Sequence, residues 1–351
     1  MRALIAAGGT GSRLRPFTNT GAKQLLPVAG QPILFHGLDA IRDAGIRDVG
    51  IVVGQTGPEV RAAVGDGGRW GLRVRYLEQA APLGLAHVVT TARRFVEGEP
   101  FLFFLGDNLI LEGLTRFVRE FERNLPDAQI FLARVSEPER FGVVVMDGER
   151  VVRLVEKPPE FVSDLALAGV YLFRDSIMEA CDALEPSWRG EYEITEAIQW
   201  LVDHGRHVRA ELVDGWWKDT GVPEDLLEAN RRMLELRDRS IEGEFDDRSD
   251  IEGRVVVEAG AKIVASRVVG PAVIGAGALV DRSVVGPAVS VAEGCQVVQS
   301  TVRDSILMAG CRVTGVDAID GSILGRESDI RSAGGTGARR LLIGDHARIE
   351  A

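Results

Sequence analysis

The feature that most restricts this chain is a seventeen-residue repeat in its last third. Gly260, Gly277 and Gly294 step by seventeen, and so do Ser266, Ser283 and Ser300. The blocks 257–263, 274–280 and 291–297 each set aliphatic residues six apart around a small one. Six residues are one short strand and one corner, so a seventeen-residue unit is one turn of a parallel β-helix built from three strands. Glycine at a recurring corner provides φ > 0 without a Cβ penalty. A fourth, degraded turn begins at Met308, with Gly310 one residue early. A β-sandwich with chance spacing competes poorly, because two independent residue series share one period. The Gly334-Gly335-Thr336-Gly337 stretch reads either as a break in the coil or as a partner contact.

Upstream of about residue 240 the rhythm differs. Short apolar runs at 3–7, 49–53, 74–77, 101–105, 130–133 and 167–173 alternate with amphipathic stretches such as 33–44 and 114–123. That alternation predicts an α/β domain with a mixed, mostly parallel sheet. A last helix starts at Pro223 and runs to about residue 237, and the charged stretch 242–250 reads as a linker. The chain therefore divides at 1–240 and 241–351.

Composition excludes several kinds of protein. A net charge of −11 argues against the broad backbone contact of nucleic-acid binding, which needs a basic face. The apolar run at the N-terminus breaks at Gly8 and Gly9, too early for a signal segment or a membrane span, so a cytoplasmic protein is expected. Three cysteines, Cys181, Cys295 and Cys311, show no metal or disulfide spacing and read as small buried side chains. The five histidines are scattered, with no evident nucleophile partner, which argues against Ser/His or Cys/His catalysis.

Two features carry chemistry. The first is the glycine-rich turn Gly8-Gly9-Thr10-Gly11-Ser12-Arg13-Leu14 after the first strand, which lets backbone N–H groups approach phosphate oxygens. It lacks the closing Gly-Lys-Ser/Thr of a P-loop and the third glycine of a dinucleotide fingerprint. The second is a pair of aspartates. Asp107 emerges where the apolar run 101–105 ends in Gly106-Asp107-Asn108, and the C-terminal ends of such strands are where open α/β sheets bind ligands. Asp219 stands in Trp216-Trp217-Lys218-Asp219-Thr220-Gly221, just ahead of the last helix.

Together with Lys23-Gln24-Leu25-Leu26-Pro27, the glycine-rich turn resembles the paired signature of the sugar nucleotidyltransferases, which join a sugar 1-phosphate to a nucleoside triphosphate. Arg140-Phe141-Gly142-Val143, Glu156-Lys157-Pro158, Gly169-Val170-Tyr171 and Gln79 with Gly84 and Ala86 fit further segments of that family. The resemblance covers nearly the whole chain and extends to the long form, a Rossmann-like catalytic domain followed by a left-handed parallel β-helix. It implies that Arg13, Lys23 and Lys157 meet phosphate charge, and that Asp107 and Asp219 hold Mg²⁺. Gly8, Gly9, Gly11, Gln24, Gln79 and Gly84 are implied in nucleotide binding. Asn108, Gly142, Glu156, Lys157, Val170 and Trp217 are implied in sugar binding.

The segment 215–230 looks like the group that uses dTTP and glucose 1-phosphate and makes dTDP-glucose for deoxysugar pathways. A glutamine amide suits the imide edge of thymine or uracil and separates the two poorly, so UTP stays open beside dTTP, as do other bases and sugars. A second, amino-sugar acetyltransferase activity in the β-helix is disfavoured, since that region has no histidine before His346. A non-catalytic regulatory subunit is disfavoured by the full set of charged motif residues. The β-helix is expected to serve homo-oligomer assembly.

Overall fold

The computed structural model describes residues 1–334 and 337–350. Gly335 and Thr336 of the glycine-rich stretch, and Ala351, lie outside the described residues. By packing, the chain forms two compact units: Met1–Thr10 with Leu34–Asp219, and Gly11–Ile33 with Thr220–Ala351. A single cut at residue 240 divides the chain differently, because the segment 11–33 and the last helix pack with the C-terminal coils.

The first unit is built on a nine-stranded sheet. We number the strands of this unit β1 (Arg2–Ala7), β2 (Asp48–Val53), β3 (Arg73–Glu78), β4 (Phe101–Leu105), β5 (Asn108–Ile110), β6 (Ala128–Arg134), β7 (Gly142–Asp147), β8 (Arg150–Glu156), β9 (Leu165–Phe173), β10 (Val208–Leu212) and β11 (Trp217–Asp219). The sheet runs β3-β2-β1-β4-β9-β6-β10-β8-β7. Its first four strands are parallel, and β9 turns antiparallel against β4 and β6. In β1, β2 and β4 the apolar runs seen in the sequence mark strands covered on both faces, whereas the edge strand β3 alternates exposed and half-buried residues. Phe101, Phe103, Phe104 and Phe173 are all at most 2% exposed, which makes β4 and β9 the middle of the core.

β5 and β11 pair with each other outside the large sheet. They are three residues long, too short to register as periodic runs in the sequence. No helix among the described residues is long and apolar enough to cross a membrane.

The second unit is the left-handed parallel β-helix, with two seven-stranded sheets and one six-stranded sheet. Phe245, Ile263, Val280, Val297, Val313, Ile330 and Ile349 stack as successive rungs of one sheet. The seventeen-residue step holds for the middle of this column and shortens by one between Val297 and Val313, where Gly310 comes early. Ile263, Val280, Val297, Val313 and Ile330 are fully buried. Each such side chain contributes about 1.5–3 kcal/mol of transfer free energy.

The serine series has a structural cause. Ser266 Oγ accepts the N–H of Ser283 at 3.0 Å, and Ser283 Oγ accepts that of Ser300 at 3.1 Å. Each hydroxyl also donates to a carbonyl two residues back, so a buried corner satisfies its polar groups turn by turn.

The charged stretch 242–250 is not a linker. Ser240–Ile241, Glu244–Phe245 and Asp250–Glu252 are strands of the first coil. An end coil has a stacking neighbour on one side only, so most of its residues face water and its composition masks the fold. The coil also continues well past Met308, through Arg348–Glu350: the seventeen-residue step returns between Val313 and Ile330 and lengthens by two between Ile330 and Ile349. All three cysteines are buried, and burial pushes the Cys295 and Cys311 thiols up to about 12 and about 11.

Candidate active site

The carboxylate corner grows from the end of β4. The N–H of Gly106 donates to the carbonyl of Ala6 at 3.0 Å, which carries the chain one step past the sheet before it presents Asp107. The next three residues form β5, and its antiparallel ladder with β11 pairs Asn108 with Asp219, Leu109 with Lys218 and Ile110 with Trp217. Asp219 is thus opposite the chain neighbour of Asp107, and two aspartates 112 positions apart in sequence share one corner.

Asn108 is 2% exposed, and both ends of its amide are hydrogen-bonded. Its Nδ2 donates to Asp107 Oδ1 at 3.1 Å, and its Oδ1 accepts the indole N–H of Trp217 at 2.7 Å. The same side chain lies against Gly169, where a Cβ would stand 2.8 Å from Asn108 Cγ. Gly169 has φ +65° and sits where the β9–β6 register shifts between Leu167 and Tyr171. A bulge of this kind turns one residue out of the ladder, and here it opens the seat for Asn108. Trp217 also meets Phe141 edge-on at 5.5 Å.

A second corner centres on Glu156. The β7–β8 hairpin pairs Glu156 with Gly142, and a Cβ on Gly142 would stand 2.4 Å from Thr195 Cγ2 and 3.0 Å from Glu156 Oε2. Thr195 Oγ1 donates to Glu156 Oε2 at 2.8 Å, while Arg189 reaches Glu156 at 3.4 Å and Glu193 at 3.0 Å. Lys157 takes φ +42°, donates its N–H to the carbonyl of Phe141 at 3.0 Å, and holds Nζ 3.7 Å from Glu156 Oε1. The side chain of Val170 is buried, with its backbone paired to Phe104. Glu193 is 4% exposed. Burial first, and then the neighbouring Glu156 charge, raise its carboxyl to about 7 against the opposing pull of Arg189 and Ser187.

A third corner gathers Gly8, Gln79 and Gly84. A Cβ on Gly8 would stand 3.2 Å from Gln79 Oε1 and from the Gly54 nitrogen. Gln79 Nε2 lies 3.3 Å from the Gly84 carbonyl and 3.0 Å from His87 Nδ1. Gly84, at φ +101°, packs its Cα face on the Tyr192 backbone, where a Cβ would come within 2.4 Å of an oxygen. Gly9 is exposed beside Gly8.

The remaining motif residues belong to the second unit. Gly11 has φ +63°, and a Cβ there would meet Lys23 Cβ at 2.9 Å, so the glycine lets the two motif halves close on each other. Arg13 is exposed in the short turn Ser12–Leu14, and Lys23 is half-buried in the turn Lys23–Leu25. Gln24 is 1% exposed, and its Oε1 is buried without a hydrogen-bond partner.

Among the described residues, no group of three or more His, Cys, Asp or Glu side chains is arranged to hold a metal. The first corner offers two hard carboxylates, Asp107 and Asp219, and no third among the described residues. That set fits a cation such as Mg²⁺, which keeps waters and takes phosphate oxygens for the rest of its shell.

Sequence reasoning missed His87, Arg189, Glu193 and Thr195. A signal for the last three was present: Arg189-Gly190-Glu191-Tyr192-Glu193 sets three charges directly before an apolar helix whose second residue is Thr195. For His87 there was none, because its partner Gln79 is reached only through the fold of the intervening turn.

The nine-stranded sheet of the first unit and the β-helix of the second define the class. The chain belongs to the nucleotidyl transferase family, whose model matches residues 2–235. Within that class it is 53% identical over 352 residues to a glucose-1-phosphate thymidylyltransferase of Streptomyces griseus, covering 100% of this chain and 99% of that protein. A glucose-1-phosphate thymidylyltransferase of Streptomyces antibioticus is 48% identical over 353 residues, with 100% and 99% covered. Among solved structures, a Bacillus anthracis chain assigned as a glucose-1-phosphate thymidylyltransferase, in complex with a sucrose, is 33% identical with a TM-score of 0.62. It covers 66% of this chain and 94% of that one.

Proposed function

We propose that this protein transfers the thymidylyl group of dTTP to glucose 1-phosphate, giving dTDP-glucose and pyrophosphate, as a cytoplasmic homo-oligomer. The observation that carries the reading is the corner in which Asp107, Asn108, Trp217 and Asp219 converge through one short ladder. Likeness along the full chain to the two Streptomyces thymidylyltransferases supports this choice of base and sugar.

In this reading residues 1–240 are the catalytic portion, with residues 241–351 the β-helix. An oxygen of the sugar phosphate attacks the α-phosphorus in line; the new P–O bond forms as the bond to the β-phosphate oxygen breaks, and pyrophosphate leaves. The nucleophile is already an anion near neutral pH, so no base is required, and the protein's task is to bring polyanions together and neutralise them. Arg13, with its planar fork, and Lys23 hold the triphosphate. Lys157 meets the sugar phosphate, while Glu156, steadied by Thr195 and Arg189, accepts hydrogen bonds from sugar hydroxyls. Gly142, Asn108, Trp217 and the Val170 backbone shape the sugar pocket. Gly8, Gly9, Gly11, Gln24, Gln79 and Gly84 serve the nucleotide, with Gln79 reading the imide edge of the base. Asp107 and Asp219 would hold Mg²⁺, which supplies positive charge to the phosphates when bound.

The test is pyrophosphate release from each common nucleoside triphosphate with glucose 1-phosphate and Mg²⁺. The expected result is preferred turnover of dTTP. Preference for UTP would move the base assignment, and no release across a panel of sugar phosphates would sink the enzyme reading.

A further inference from the structure

The segment 11–33, which carries Arg13 and Lys23, packs as part of the β-helix unit. It is fastened there at two places, one between the two cations and one beyond Lys23. Beyond Lys23, the chain turns at Ala29 and Gly30 between the two-residue strands Pro27–Val28 and Gln31–Pro32. Ala29 has φ +50°, a left-handed conformation that alanine rarely adopts, and it is completely buried. Both of its backbone polar groups are claimed by side chains. Asn230 Oδ1 accepts the Ala29 N–H at 2.9 Å, and Arg237 Nη2 donates to the Ala29 carbonyl at 2.9 Å.

Asn230 belongs to the helix Pro223–Leu234 and is itself 1% exposed. It is held by the coil: Ser290 Oγ donates to the same Oδ1 at 2.6 Å, and Nδ2 donates to the Ala288 carbonyl at 3.3 Å. Gly30 rests on Val273, where a Cβ would stand 3.0 Å from Cγ1. Between Arg13 and Lys23, Thr20 Oγ1 donates to Asp345 Oδ2 at 2.6 Å, and Pro16 packs on Gly344. Asp345 is oriented in turn by the Arg326 N–H at 2.7 Å. A backbone conformation disfavoured for its residue persists only where its surroundings over-determine it, and here they are Asn230 and Arg237, with Asn230 held in turn by Ser290 and Ala288 of the coil.

We infer that Asn230 and Asp345 are positioning residues for the reaction, and that the β-helix sets the geometry of the segment bearing Arg13 and Lys23 in addition to any role in assembly. The inference rests on the functional reading above. The two cations act by placement, and a displacement of about 1 Å costs up to about a hundred-fold in rate, so loosening either clasp falls on the triphosphate. The sugar residues Gly142, Glu156 and Thr195 belong to the other unit and to none of these contacts.

The experiment is steady-state kinetics of the full chain with dTTP and glucose 1-phosphate for wild type, Asn230→Ala, Asn230→Asp and Thr20→Val. Wild-type turnover tests the functional reading; the ratio of variant to wild type tests the positioning role. The expected result is a fall of about ten-fold or more in kcat/KM for dTTP in Asn230→Ala, with the KM for glucose 1-phosphate within about two-fold of wild type. Asn230→Asp keeps the accepting oxygen for Ala29 but loses the donor to the Ala288 carbonyl, so it recovers only part of the loss. Thr20→Val removes an exposed contact and leaves folding intact, so it decides the matter if Asn230→Ala misfolds; a loss of about three-fold confined to dTTP is expected. Wild-type constants in a folded Asn230→Ala or in Thr20→Val, or equal losses for both substrates, overturn the inference.

Discussion

Asp219 faces Asn108 across a ladder only three residues long, and Asn108 in turn hydrogen-bonds the carboxylate of its own neighbour, Asp107, at 3.1 Å. The two aspartates are therefore coupled through backbone pairing, and neither depends on a flexible loop for its place. Asp107→Asn and Asp219→Asn each keep shape and remove charge. Each is expected to lower kcat by at least about a hundred-fold with little change in melting temperature. Activity in either variant within a few-fold of wild type would remove that aspartate from the chemistry.

Gly142→Ala tests the Glu156 corner. Its new methyl would stand 2.4 Å from Thr195 Cγ2, so Thr195 must turn and release Glu156 Oε2. The expected outcome is a KM for glucose 1-phosphate raised about ten-fold or more, with the KM for dTTP little altered. A reversed pattern would place this corner on the nucleotide.

Glu193 makes stability depend on pH. Its folded carboxyl titrates at about 7 rather than 4.5, so the native protein binds a proton that the unfolded chain releases. That contribution is complete below about 4.5 and is lost as pH rises through about 7, an effect on the order of 3 kcal/mol. Thermal melts of wild type and Glu193→Gln should agree near pH 5 and separate above pH 7, with the glutamine variant the more stable. A gap of constant size across that range would show that burial of Glu193 does not perturb it.

Ser283→Ala opens the serine ladder in the β-helix. The Ser300 N–H loses its acceptor inside a buried corner, at a cost of about 1–3 kcal/mol. Chemical denaturation should show that loss while kcat with saturating substrates stays near wild type. An unchanged midpoint would mean that the corner finds another acceptor.

Much of this was legible in one dimension. Periodic features survive projection onto a sequence: Ser266, Ser283 and Ser300 mark successive turns because each bonds the next, and an apolar run such as 101–105 marks a strand covered on both faces. Local chemistry survives as well, since Gly11 and Lys23 sit close in the chain and the closure between them needs a glycine. The motif carbons around Asp107, Gly142 and Gly84 could be named by resemblance for the same reason. The end coil at 242–250 escaped because it has a stacking neighbour on one side only and carries the composition of a linker.

What only the tertiary structure decided are pairings that no spacing encodes. Asp219 meets Asn108 through two three-residue strands, Thr195 and Arg189 converge on Glu156, and His87 lies against Gln79. The fastening of Ala29 by Asn230 joins residues 201 positions apart. Chain topology sets these contacts, and their free energy comes from burying polar groups together rather than from any local preference of the residues involved, so the sequence names the participants and the fold alone selects the partners.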